Sequence, residues 1–407
     1  MRLLLLPSYF YPEKAASYYL FDNLFEEIAR QDIYMNVYTP LPCRGVSAET
    51  KERYKSIKHE WKYDKHMEIH RFRMFSEGIN PILRFVRYFL ISIIQLWKGV
   101  FSDKVDLIYV ASTPPTQGAL AALIKKIKGI PFVYNLQDIF PDSLVGTGLA
   151  KKNGILWKMG RIIENFTYRN ADKIIVISED FKKNIIAKGV PEDKIEVVYN
   201  WVEEKTIFPV EKKDNPLFEE FGISRDLFTV VYAGNLGNAQ NIKIILEGAM
   251  QLPEVQFAIF GTGGLEHDVC KIIEKKSLSN VHLNPLQPYE RVGQVYSLGD
   301  VCIVSCKAGL GGSAMPSKTW TIMSCGRPVV ASFDKGDLQE ILENNNCGVF
   351  THAGNVKDFV AAIKQLAINK EKCEVMGKNA RRFILDNLTK EVGTKRYVEI
   401  IKSVVKK

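Results

Sequence analysis

A rhythm of short, unbroken apolar runs, set between longer stretches of helical periodicity, constrains this chain most, and it occurs twice. The first series has Leu3–Leu6, Ile33–Tyr38, Leu107–Ala111, Phe132–Leu136, Lys173–Ile177 and Ile195–Val198. The second has Thr229–Ala233, Gln256–Phe260, Val281–Leu283, Val301–Val304, Pro328–Ser332 and Gly348–Phe350. Apolar runs that do not alternate with polar residues mark strands covered on both faces, as in parallel sheets. Helical patterns such as Tyr18–Arg30 and Gly118–Lys128 fall between them. Strands alternating with helices build doubly wound α/β sheets. A length of 407 residues suits two such domains. The charged, proline-bearing stretch Asn200–Phe221 separates them. The expected division is 1–200, 201–385 and a basic C-terminal helix, 386–407, packing back on the first domain. Ligands bind at the carboxyl ends of strands in such sheets, so a cleft between the domains is the expected site.

The segment Cys43–Glu77 breaks the rhythm. It is polar, rich in Lys, Arg, His and Tyr, and reads as an insertion with an antiparallel pair. His59, His66 and His70 lie in it, at spacings that suit one helical face. Without accompanying cysteines they read as surface histidines, and no metal site is expected. The seven cysteines are odd in number and scattered, which reads as reduced thiols in a cytosolic protein. Cys302 and Cys306 lack a second pair at zinc spacing.

The opening MRLLLLPSYFYPE imitates a signal peptide, but Pro7, Pro12 and Glu13 break it. A buried opening strand is the better reading. Phe85–Phe101 is apolar but carries Arg87 and Lys98, and a spanning helix wants about 20 residues with few charges. It reads as a buried or interfacial helix that can dock on a membrane. Net charge is +9, and residues 1–200 hold 29 Lys and Arg against 22 Asp and Glu. That excess suits an anionic membrane surface or a phosphorylated partner. No compact basic cluster points to nucleic acid.

Three loops follow strands of the second series. Gly234-Asn235-Leu236-Gly237 precedes a helix starting near Asn241, where backbone amides suit phosphate. Gly261-Thr262-Gly263-Gly264 precedes another helix. Ser305–Gly326 holds glycines, serines, Lys307 and Lys318, then a helix announced by Pro316 and Ser317. A diphosphate is its natural guest. In the first series, Asp138 and Asp142 sit just past Phe132–Leu136. A carboxylate there can accept a hydroxyl proton. Asp138 suits a site role and Asp142 a helix cap. Ser112-Thr113-Pro114-Pro115 also ends a strand and shapes a site.

These pieces, in order, resemble glycosyltransferase family 4, retaining enzymes built from two Rossmann-like domains facing a cleft (GT-B). They are PSYFYPE (7–13), STPP (112–115), LQDIFPDS (136–143), YNWV (199–202), YAGNLGNAQ (232–240), FGTGG (260–264) and MPSKTWTIMSCGRPVVAS (315–332). They look most like the WbuB-type branch of bacterial surface-polysaccharide transferases. The resemblance implies a UDP-linked donor, carrying an N-acetylated amino or deoxyamino hexose. It also implies a polyprenyl-diphosphate-linked acceptor, no metal or other cofactor, and a peripheral place on the inner face of the plasma membrane. Capsule, O-antigen or exopolysaccharide synthesis would be the setting.

Carried over residue by residue, the resemblance implies a nucleotide-binding second domain. Its donor residues would be Gly234, Asn235, Gly237, Gln240, Gly261, Gly263, Gln287, Lys307, Ser317, Lys318, Thr321 and Asp337. Tyr11, Ser112, Thr113 and Asp142 would bind acceptor, and Asp138 and Lys318 would act in catalysis. The chain departs from the family where a pair of glutamates is usual, at Ser313 and Thr321. The usual diphosphate-holding Arg and Lys fall at Asn235 and Gln240. Lys318, with Lys307, is then the expected source of positive charge. Two alternatives follow from these departures and the architecture: a degenerate nucleotide-binding scaffold, or a UDP-sugar 2-epimerase. The motif loops carry no His, which argues against the epimerase.

Overall fold

A computed structural model describes all residues except 14–17, 79, 147, 149, 312–314 and 406–407. The chain forms two compact units, Met1–Tyr199 with Gly393–Lys407, and Asn200–Val392.

The first unit runs β1 (Arg2–Leu5), α1 (Tyr18–Arg30), β2 (Tyr34–Pro40), α2 (Ala48–Ser56), β3 (His59–Lys62), β4 (Met67–Phe72) and α3 (Pro81–Val100). It continues with β5 (Leu107–Ala111), α4 (Thr116–Lys128), β6 (Phe132–Leu136), α5 (Asp142–Gly146), α6 (Ile155–Asn170), β7 (Lys173–Val176), α7 (Glu179–Ala187) and β8 (Ile195–Val197). The sheet order is β3-β4-β2-β1-β5-β6-β7-β8. All neighbours are parallel except β3 and β4. The insertion therefore does supply an antiparallel pair, and it extends the main sheet. Its histidines lie on strands and a turn, not on one helical face, because His59 and His70 face each other across the β3–β4 register. Leu3, Leu4, Ile108, Val133 and Ile175 are fully buried, as continuous apolar strands require.

α3 is inside out. Its buried positions include Arg87, Ile91 and Gln95, each 0% exposed. Arg87 pairs with buried Glu77 at 3.3 Å and donates to the Phe75 carbonyl at 3.0 Å. Gln95 donates to the carbonyls of Pro7 and Tyr38, tying the helix to the ends of β1 and β2. The outward stripe is Phe85, Phe89, Ile93 and Trp97, continued by Phe101, at 69, 58, 49, 64 and 68% exposure. Residues four apart share a helix face, so this stripe is continuous.

The second unit contains α8 (Leu217–Glu220), β9 (Thr229–Asn235), α9 (Ile242–Gln251), β10 (Gln256–Thr262), α10 (Glu266–Lys276), β11 (Val281–Asn284), α11 (Val292–Ser297), β12 (Val301–Ser305) and α12 (Lys318–Ser324). Then come β13 (Val329–Phe333), α13 (Asp337–Asn344), β14 (Gly348–His352), α14 (Val356–Ala367), α15 (Lys370–Asn387) and the start of α16 (Lys390–Val405). Its sheet is wholly parallel, in the order β11-β10-β9-β12-β13-β14. Phe257, Phe359, Ile303 and Val330 are among its buried core. From Gly393 on, α16 belongs to the first unit, where Tyr397 donates to Asn135 on β6 at 3.1 Å.

β9 and β10 run two residues past the expected ends. Gly234 pairs with Gly261 and Asn235 with Thr262. The first half of each glycine loop is therefore still strand, because a Cβ on Gly261 would lie 2.4 Å from the Gly234 carbonyl oxygen. Only glycine lets the two chains approach so closely at that point.

Candidate functional site

The strand order of the second unit reverses between β9 and β12, so their carboxyl ends flank its topological switch point. The loops found there are the ones the sequence singles out. Leu236 N–H donates to the Thr262 carbonyl at 2.9 Å, and Leu265 N–H to the Leu236 carbonyl at 2.9 Å. Lys307 N–H reaches the Ala239 carbonyl at 2.8 Å, and the Ser305 hydroxyl reaches that of Gln240 at 2.6 Å. Gly234, Asn235, Gly237, Gln240, Gly261 and Gly263 are thereby gathered around the end of β9. A Cβ on Gly237 would meet Asn235 Nδ2 at 2.7 Å and Gln240 Oε1 at 2.9 Å, and one on Gly263 would meet Asn235 Oδ1 at 2.5 Å.

Lys318, the first residue of α12, lies across this cluster. A Cβ on Gly234 would sit 2.8 Å from its Nζ. The ammonium lies 4.2 Å from the centre of the Tyr232 ring, whose hydroxyl donates to the Asn235 carbonyl at 2.8 Å. Nζ is buried and has no hydrogen-bond partner among the described residues. A lysine usually reaches its ammonium out to water; here the stem is the accessible part. Burial pulls its pKa down from the ordinary lysine value to about 8. Gln240 Oε1 and Thr319 Oγ1 are also buried without a partner among the described residues. Buried polar atoms left in this state are uncommon and mark places where a ligand or water completes the bonding.

The remaining donor candidates divide. Thr321 lies one turn beyond Lys318 on α12 and is partly buried. Ser317 is the exposed residue before that helix and makes no side-chain cap. The Lys307 side chain is exposed. Asp337 opens α13, buried past the end of β13. Gln287 stands apart, beyond the outer strand β11, accepting from Arg291 at 2.9 Å. Ser313 lies outside the described residues.

The glycine-rich loop after β12 departs from its expected use. The Gly309 and Gly311 amides both donate to one carboxylate oxygen of Asp334, at 2.8 Å each. A protein carboxylate thus occupies donors that the sequence offers to a diphosphate. Sequence reading missed Asp334, which sits just past β13, and Tyr232. Tyr232 was findable, since residues two apart on a strand share a face and Gly234 lies two beyond it.

In the first unit the order reverses between β1 and β5. A cavity of about 110 Å³ lies there, lined by Leu5, Phe10, Phe25, Tyr109, Thr113 and Gln117, among others. Ser112 is buried, and its Oγ accepts from the amides of Gln137 and Asp138 at 3.0 and 3.1 Å. It therefore positions the Asp138 loop, with no free face of its own. Desolvation by the dense surroundings raises the Asp138 carboxyl above its ordinary value, against a hydrogen bond from Ser143 that lowers it. Its side chain still reaches solvent. Asp142 is committed elsewhere. Burial works to raise its pKa, but Lys188 at 2.8 Å and Asn184 at 3.3 Å hold it below the ordinary value. Lys188 also pairs with Glu164 at 2.9 Å, so Asp142 belongs to a structural ion-pair network rather than to an open acceptor pocket. Tyr11 leans toward β3 and β4, with Lys62 Nζ 3.6 Å above its ring and its carbonyl accepting from Arg71 at 2.7 Å.

This arrangement has known counterparts. The model of glycosyltransferase family 4 matches residues 20–205, and that of the glycosyl transferases group 1 matches 214–383. The chain is a family 4 glycosyltransferase of the GT-B fold. It is 26% identical to a probable glycosyltransferase, WbjE, of Pseudomonas aeruginosa, over 68% of each chain. It is likewise 26% identical to a putative colanic acid biosynthesis glycosyl transferase, WcaI, of Escherichia coli (strain K12), over 69% of this chain and 70% of that one. Among solved structures, sucrose-phosphate synthase from Thermosynechococcus elongatus superposes with a TM-score of 0.79 at 14% identity, covering 99% of this chain and 98% of its own. Anabaena HepE in complex with UDP gives a TM-score of 0.74 at 18% identity, covering 99% and 100%. These two likenesses bear on the fold, and the family models carry the activity class.

Proposed function

We propose that this glycosyltransferase moves a sugar from a UDP-linked donor to a polyprenyl-diphosphate-linked acceptor in bacterial surface-polysaccharide assembly. The observation that carries the donor half is the buried ammonium of Lys318, without a partner among the described residues, at the end of β9. A cation held dry and unneutralised suits an anion that arrives with the substrate. Breaking the sugar–phosphate bond builds charge on the leaving diphosphate, and a preorganised donor at that oxygen lowers the barrier. Lys318 supplies that charge without a divalent metal, with Gly234, Gly237, Gly261 and Gly263 keeping side chains out of the phosphate's path. The polysaccharide setting rests on the name of the WcaI relative, a putative colanic acid biosynthesis glycosyl transferase, and on the WbuB-type motifs. The same motifs suggest an N-acetylated amino or deoxyamino hexose and retention by same-face attack. Asp138 is the residue we place nearest the acceptor hydroxyl.

The lipid half rests on α3. A helix that turns Arg87 and Gln95 inward and Phe85, Phe89, Ile93 and Trp97 outward is stable beside an apolar phase, and costly in water. In the same unit, α6 adds exposed Ile155, Met159 and Ile162, with Lys158 beside them. Rows of apolar side chains flanked by lysines suit the surface of an anionic bilayer. No helix among the described residues is long and apolar enough to cross a membrane. We therefore read the protein as peripheral on the inner face of the plasma membrane.

Calorimetric titration with UDP, and with GDP as control, tests the donor reading without added metal. The expected result is micromolar UDP binding that is clearly weakened in Lys318→Met. Preference for GDP would redirect the donor class. Silence for both nucleotides would favour the scaffold reading.

A further inference from the structure

The polar insertion carries a second convergence of side chains, away from the switch points of both sheets. His59 on β3 stands directly opposite His70 on β4, and Glu68 lies two residues before His70 on the same strand face. His59 Nε2 is 2.9 Å from Glu68 Oε1, and His70 Nε2 is 3.3 Å from the same oxygen. One ligand atom from each of the three lies within 4.8 Å of the others. We propose that His59, Glu68 and His70 form a binding site for one divalent transition-metal ion of the zinc type.

The spacing supports this. Ligand atoms about 2.0–2.1 Å from a tetrahedral zinc ion stand about 3.3 Å from one another. Both imidazole-to-carboxylate separations are close to that edge. Two imidazoles and one carboxylate are a borderline donor set, suited to zinc, cobalt or nickel rather than to magnesium or calcium. The rings are also held. His70 stacks on Tyr38 at 5.1 Å between centroids, and Trp61 meets His59 edge-on at 5.6 Å. Side-chain exposures of 46, 25 and 33% for His59, Glu68 and His70 leave an open side where water can complete the coordination. The opposing term is Lys98, whose ammonium lies 5.5 Å from the Tyr38 ring centre, and the Glu68 carboxylate offsets it. His66 takes no part, since it bonds Asp32 and the Tyr63 carbonyl. A bound ion would cross-link β3, the edge strand of the sheet, to β4.

The test uses the full chain, stripped with a chelator and titrated with zinc chloride. Saturation at one equivalent is expected, with affinity reduced more than about tenfold in His59→Ala and in His70→Ala. Glu68→Gln should weaken binding while keeping a similar shape. Cobalt should give visible d–d bands of nitrogen and oxygen ligation, and zinc should raise the melting temperature of the wild type alone. Equal zinc affinity in wild type and the His59→Ala/His70→Ala double variant would overturn the proposal. So would a cobalt–thiolate charge-transfer band at the tight site, which would move the ion to a cysteine.

Discussion

At the switch point of the second sheet, glycines and amide side chains gather around a buried ammonium. At the switch point of the first, leucine, phenylalanine and tyrosine enclose a small cavity of about 110 Å³. The topological device is the same, and the chemistry placed in it is opposite. A crevice at the carboxyl ends of parallel strands is only a place; the residues there decide what it takes. The glycine-lined crevice excludes side chains and holds a positive charge, as a diphosphate requires. The apolar one, with the outward aromatic stripe of α3 in the same unit, suits the lipid-linked acceptor we propose. Variants in the two units should therefore fail in different ways.

Lys318→Met should have the largest effect. It removes charge and hydrogen bonding while keeping most of the volume. Transfer should slow by about 10²–10³, the usual cost of losing a donor to a developing oxyanion. UDP affinity should fall with it, by the about 1.5–3 kcal/mol typical of a hydrogen bond to a charged group. The melting temperature should hold or rise, since a desolvated ammonium is lost. Transfer at the wild-type rate would sink the assignment of Lys318 to the diphosphate. The mirror variant in the first unit is Phe89→Ser with Trp97→Ser. Each fully buried large apolar side chain is worth about 1.5–3 kcal/mol, so partitioning onto anionic vesicles should drop about 100-fold or more. UDP affinity should not change. Sedimentation with vesicles of phosphatidylglycerol reads the first quantity and calorimetry the second.

The pH dependence sharpens the comparison further. In the free protein Lys318 titrates at about 8, below its ordinary value. A cation whose pKa is lowered by folding destabilises the fold at low pH, and this penalty is relieved as pH rises from about 8 toward the ordinary lysine value. Nucleotide binding runs the other way. A bound diphosphate raises the pKa, so binding below about pH 8 finds the proton already present. Above it, each binding event must take up a proton, and affinity should fall by up to about tenfold per pH unit. Calorimetry in buffers of different ionisation heat should detect that uptake near pH 8 in wild type and not in Lys318→Met.

How far the sequence reveals this molecule depends on the range of the interactions involved. The parallel strands were legible because a strand covered on both faces must be apolar throughout, and Leu3–Leu6 or Val301–Val304 say so locally. β3 and β4 were harder. Their burial alternates, and polar residues hide a period of two. Histidine spacings of seven and four suggested a helix, whereas pairing with a neighbouring strand brings His59 to His70 and adds Glu68. The glycine loops and Lys318 stood out by composition. Their partners did not: Asp334 reaches the Gly309 and Gly311 amides from a different strand, and no local pattern marks it. Likewise, Asp142 has the right place after β6, but Lys188, on the segment after α7, engages it.

Ser112→Ala gives the smallest expected effect and the finest distinction. Its buried hydroxyl accepts two amides, both within the first unit. Removing it leaves the Gln137 and Asp138 N–H groups without that acceptor, at a cost of about 1–3 kcal/mol for a buried donor. The loop that carries Asp138 should loosen, and its carboxyl should drift toward its ordinary value as water enters. Melting temperature should fall by a few degrees. Transfer should slow through poorer placement of the acceptor, while UDP titrates as in wild type. Ser112→Thr, which keeps the hydroxyl, should restore part of the rate if space allows. A rate unchanged in Ser112→Ala, with the stability loss present, would mean that the Asp138 loop supports the fold and does not act on the acceptor. The catalytic contribution of the first unit would then have to come from the residues around its apolar cavity, with Thr113 the first to test.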